Sequence, residues 1–136
     1  MGAKTVSVVA SYRDLKVWKS AMDTAQGVYL ITEQFPKSEI YGLSSQMRRA
    51  AISVPSNIAE GHARDSTKEY LRFISVAMGS LAELETQFLL SERLNYLEAA
   101  ALNKLLEKTG EIGRMLRSLQ LALKAKLEPQ PPAPSP

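Results

Sequence analysis

The chain has 136 residues, enough for one domain with a buried core and too few for two. Hydrophobic residues make up 45% and charged residues 23%, ordinary globular proportions that exclude disorder over the body of the chain. Seventeen Lys and Arg against fourteen Asp and Glu leave a charge of +3, which permits nucleic-acid binding without demanding it, and the absence of cysteine excludes disulfides, thiolate metal sites and cysteine nucleophiles.

Residues 1–11 read as a flexible segment whose apolar run is too short for a signal peptide. No stretch approaches the about eighteen apolar residues of a membrane span. Gly2 invites a myristoylation reading, but Val6 stands where that motif needs Ser or Thr. The expectation is a cytoplasmic protein with no membrane contact, consistent with a chain free of cysteine.

Ser11 precedes Asp14 by three, a loose capping box, and Leu15, Trp18, Met22, Ala25 and Tyr29 then recur at helical spacing, predicting a first helix over about 14–34. Pro36 and Gly42 mark a loop. Met47, Ala51, Val54 and Ile58 predict a second helix over about 44–62, closed by Gly61 and the polar run HARDST. Ser66 and Glu69 form an S-x-x-E box that opens a third helix, whose wide apolar arc includes Tyr70, Leu71, Ile74, Ala77, Met78, Leu81, Leu84 and Phe88. RLNYL breaks the pattern. Leu102, Leu105, Thr109, Ile112, Leu116, Leu119 and Leu123 then follow the period of a left-handed seam. The economical architecture is an all-α, antiparallel up-and-down four-helix bundle over residues 12–127. Gly79, Gly110 and Gly113 fall inside helices at about 1 kcal/mol each relative to alanine, marking either close backbone approach or tolerance. Residues 128–136 hold five of the seven prolines and read as a disordered tail, with a PxxP ligand as the lesser alternative.

The second helix carries the unusual chemistry. About 100° from its core stripe run Gln46, Ala50, Ser53, Asn57 and Glu60, small and polar rather than charged, which points to contact with a surface that needs hydrogen bonds. Pro55 removes one backbone donor and frees the Ala51 carbonyl. Glu85, on the apolar arc of the third helix, needs a polar partner, for which Arg48, Arg49 or Asn57 would serve; a structural contact is favoured over a catalytic acid. His62 is the only histidine, so no multi-histidine metal site exists, and no metal, cofactor or catalytic motif is found. Acid–base work by Glu60, His62 and Asp65 is a minor alternative to a plain capping turn. Arg64, Lys68 and Arg72 make a basic ridge at steps of four, with Arg48 and Arg49 on the second helix and Arg114, Arg117 and Lys124 on the fourth. Such a ridge fits either phosphates or a solvated face.

The segments YRDLKVWKSAMD, YGLSSQMRRAAISVPSNIAEGHAR and KEYLRFISVAMGSLAELETQ, with RLNYL, resemble the bacterial four-helix-bundle family encoded in intervening sequences of 23S ribosomal RNA genes, once called S23 ribosomal protein. The core of the resemblance is P-x-N-I-A-E-G: Pro55, Asn57, Ile58, Ala59, Glu60 and Gly61. The resemblance implies a homopentamer without established enzymatic activity, similar in fold to the accessory protein of diversity-generating retroelements. Two readings stay open. One is a non-catalytic oligomer that binds RNA or DNA through Arg48, Arg49, Arg64, Lys68 and Arg72; the other is an oligomeric scaffold for another protein.

Overall fold

The computed structural model describes residues 11–128, so the expected N-terminal segment and proline-rich tail fall, apart from Ser11 and Glu128, outside the described residues. Four helices follow in order: α1 (Lys16–Thr32), α2 (Leu43–His62), α3 (Thr67–Arg93) and α4 (Ala99–Leu127). Short 3-10 turns at Tyr12–Asp14 and Lys37–Glu39 precede α1 and α2, and there is no strand among the described residues. Each helix packs on its neighbours in the sequence, and α1 also meets α4, which closes the bundle. Pairs such as Met47 with Ser91 and Ser53 with Ser80 run α2 and α3 antiparallel, as Glu85 with Thr109 and Leu81 with Gly113 do for α3 and α4.

Local signals account for the starts and stops. Ser66 accepts a hydrogen bond from the Glu69 amide at 2.9 Å, the expected cap of α3. Asn95 takes a left-handed conformation with φ 64°, ending the chain's run beyond α3. The Ser11 box is different from its reading: Ser11 accepts from the Arg13 amide and caps the first 3-10 turn, and α1 begins only after an extended Leu15. At the far end the helix stops at Thr32, two residues before the predicted limit.

The core forms two layers stacked along the bundle. Val54, Ile58, Ile74, Ile112 and Leu116 centre one, and Met47, Val28, Leu84 and Phe88 centre the other. The predicted stripes of α2 and α4 are the ones buried. The stripe of α1 is buried only in part: Ala25 lies in the core and Leu15 and Trp18 pack against it half-buried. Its inner face is Val17, Ala21, Ala25 and Val28 with Ser20 and Thr24, while Met22 and Tyr29 are 44% and 40% exposed. Small side chains let α1 settle closely on its neighbours, and the larger ones are left outside. α3 is long and apolar enough, by length and composition, to cross a bilayer; here its apolar face is buried in the bundle.

Candidate functional site

Gly61 organises the corner where α2 turns into α3. It lies inside α2, not past its end, and the glycine is there for space: a Cβ would stand 2.9 Å from Phe73 Cβ and 2.9 Å from Tyr70 Cδ1. The first turns of α3 can therefore press against the last turn of α2. Phe73, thereby buried, becomes a platform for two cations. The Arg64 guanidinium lies 4.9 Å from its ring centroid and that of Arg72 4.7 Å. Stacking holds a guanidinium by its face and leaves its N–H fork directed at other partners. Glu69 meets Arg72 at 3.4 Å, an exposed contact and the one ion pair among the described residues. Lys68 stands exposed in the first turn of α3 between them. Arg64, Lys68 and Arg72 thus share one corner with Asp65 and Glu69, of which only Glu69 meets a cation among the described residues.

Neighbouring rings pack against one another there. Burial raises the pKa of the Tyr70 phenol, and the His62 ring packs edge-on against Tyr70 with centroids 5.9 Å apart. Glu60 is exposed, and no hydrogen bond joins it to His62 or Asp65 among the described residues. No group of three metal-ligating side chains occurs among the described residues.

Halfway along the same two helices the polar stripe of α2 meets α3. Ala50 is buried, and the Ser53 and Ser80 hydroxyls hydrogen-bond at 2.7 Å. Asn57, half-buried, donates through Nδ2 to the Ser53 carbonyl at 2.8 Å and to its hydroxyl at 3.0 Å. The surface that the stripe needs is therefore partly α3 of the same chain, while Gln46 and Glu60 remain exposed. An open groove of about 520 Å³ runs here, lined by Tyr41, Gln46, Arg49, Ser53, Ser80 and Glu83 among others.

The remaining predicted residues are dispersed. Arg48 is committed to α1: its Nε donates to Thr32 Oγ1 at 2.9 Å and its guanidinium lies 4.5 Å over the Tyr29 ring. It sits near the opposite end of α2 from Arg64, about 24 Å away along the helix axis. The five cations therefore do not form one cluster. Glu85 is half-buried, but its partner is none of those expected; Thr109 of α4 donates to its Oε2 at 2.6 Å. Ile58 is core, Ala59 is half-buried, and Pro55 is buried beside an apolar groove of about 460 Å³ that Met22, Tyr29 and Ile52 also line. Two features escaped sequence reasoning. Phe73 stands four residues before Ala77, on the same helical spacing as Leu81, Leu84 and Phe88, so the period of α3 itself was the signal for it. Glu39 accepts from the Leu43 amide at 3.0 Å and from the Tyr96 hydroxyl at 2.9 Å, and the available signal was a helix opening at Gly42 with no side chain to cap it.

These features define an all-α four-helix-bundle protein with a basic corner and a polar interhelical groove. The model of the 23S rRNA-intervening sequence protein family matches residues 13–118, and the chain belongs to that family. It is similar to a crystal structure of a protein of unknown function from the S23 ribosomal protein family of Bacteroides thetaiotaomicron VPI-5482, with a TM-score of 0.69 and 20% identity over 76% of this chain and 97% of that one. At this identity the likeness shows the fold alone. No curated protein matches the chain.

Proposed function

We propose that the protein is a non-catalytic, cytoplasmic homo-oligomer that binds RNA or DNA through the α2–α3 corner. The observation that carries this reading is the pair of guanidiniums held on Phe73, at 4.9 and 4.7 Å, with Glu69 as their one carboxylate partner among the described residues. Two cations each held against one ring are preorganised for phosphates, because the ordering of their long side chains has already been met by that contact. Lys68 extends the cationic surface along α3. Repetition of the corner around an oligomer would multiply a modest charge into an extended phosphate-binding surface. Arg49 adds a contact in the groove, and Arg48 acts as a link between α1 and α2.

The assembly reading draws support from the α1–α2 groove, where Met22, Tyr29 and Ile52 leave apolar area exposed together. The same groove favours the second reading, an oligomeric scaffold for another protein. A mobility-shift titration with structured RNA at about 50 and 200 mM salt separates the two. Binding that weakens steeply with salt supports the first; no shift at the lower salt supports the scaffold.

A further inference from the structure

We propose that the groove between α2 and α3 seats a single unpaired guanine of the bound strand. Tyr41 would stack on the base, Glu83 accept from its edge, and Arg49 contact the adjoining phosphate. The proposal rests on the nucleic-acid reading above and names the ligand of a site away from the basic corner.

Four observations converge on it. Tyr41 is 97% exposed, the most exposed large apolar side chain described, yet it lines the groove. It follows a loop secured by Glu39, which bonds both the Leu43 amide and Tyr96, so the ring is presented from a fixed base. Unpaired bases are commonly held by stacking on such rings. Arg49 and Glu83 line the groove together without forming an ion pair; Glu83 Oε2 accepts from Gln87 Nε2 at 3.4 Å, which leaves Oε1 and a second lone pair on Oε2 for a ligand. The floor is the Ser53–Ser80 hydroxyl pair, in which one hydrogen makes the mutual bond and the other has no protein acceptor among the described residues. That hydrogen is available to a ring nitrogen or carbonyl oxygen.

The choice of base follows from the carboxylate. Guanine presents N1–H and the exocyclic amine side by side, a donor fork that matches two carboxylate oxygens. Adenine and cytosine offer that edge one amine, and uracil one ring N–H. The groove volume of about 520 Å³ lies within the range of small-molecule sites.

The test is fluorescence anisotropy on the full chain, using a short unstructured RNA that carries one guanosine, and the same strand with inosine or adenosine at that position. Inosine keeps N1–H and lacks the amine. The expected result is binding at least about fivefold tighter to the guanosine strand than to the inosine strand. Glu83→Gln should abolish that preference. Tyr41→Ala should weaken all three strands about tenfold, while Arg64→Ala weakens all of them and leaves the ratio unchanged. Equal affinity of the parent for the three strands overturns the guanine site and leaves the basic-corner reading standing. Absence of binding to any strand at low salt overturns both. Loss of the assembled state in Tyr41→Ala or Glu83→Gln, measured by light scattering, would show the groove to be a seam between copies and also overturns the proposal.

Discussion

Gly61 and Gly79 are the same residue type in neighbouring helices with opposite consequences. A methyl group at Gly61 collides with Phe73 and Tyr70, whereas nothing lies within 4 Å of the position that one would take at Gly79. Gly61→Ala is therefore expected to destabilise the fold by about 1–3 kcal/mol through overpacking. Gly79→Ala is expected to stabilise it by about 0.5–1 kcal/mol through helix propensity, and urea denaturation reads both. Thr109→Val keeps the shape of a fully buried side chain but strips Glu85 of its 2.6 Å donor; the expected cost is about 1–3 kcal/mol. Residue roles were unevenly legible in sequence. That Gly61 mattered was visible in P-x-N-I-A-E-G, but its reason was not, because a helix stop and a close helix crossing both demand glycine. Glu85 was visible as a misfit on an apolar arc. Its partner was not, since only the crossing of α3 and α4 brings Thr109 to it.

At the level of elements, α2 begins without a capping side chain of its own and borrows Glu39. The Leu43 amide first, and the Tyr96 hydroxyl second, hold the Glu39 carboxyl below the ordinary glutamate range. The same hydrogen bond, with burial, raises the Tyr96 phenol. Because the folded state binds this proton less readily than the unfolded chain, the contribution of Glu39 is complete at neutral pH and is lost as pH falls below about 4. Glu39→Gln removes the titration, and a plot of urea midpoint against pH from about 5 to 3 should be flatter for it than for the parent. An unchanged slope would separate this cap from acid stability. The helices themselves were legible because their caps and periods agree, as Ser66 and the α4 leucines do. The phase of α1 was legible only in part. Of the predicted Leu15, Trp18, Met22, Ala25 and Tyr29, Ala25 is buried and Leu15 and Trp18 pack on the core, but packing set the small Ser20, Ala21 and Thr24 inside in place of Met22 and Tyr29. That displacement leaves Met22 and Tyr29 at the surface with Ile52.

For the whole molecule, the net charge of +3 is small, and the distribution matters more than the total. The bundle places Arg64, Lys68 and Arg72 at one corner, Arg49 in a groove midway, and Arg48 within the α1–α2 joint. Four helices and their order could be read from the sequence; the separation of these cations could not, because it depends on which side chains stack on Phe73 and Tyr29. Light scattering is expected to give a mass of about five chains of 15.0 kDa, and Ile52→Lys in the apolar groove to reduce it. A single-chain mass for the parent would remove the assembly from the proposed function. The most direct test of the central claim is the salt dependence of RNA affinity for the parent and for Arg64→Ala/Arg72→Ala. The basic corner predicts affinity that falls steeply between about 50 and 200 mM salt, with a logarithmic slope shallower by about 2 in the double variant. Identical slopes for the two proteins would contradict it.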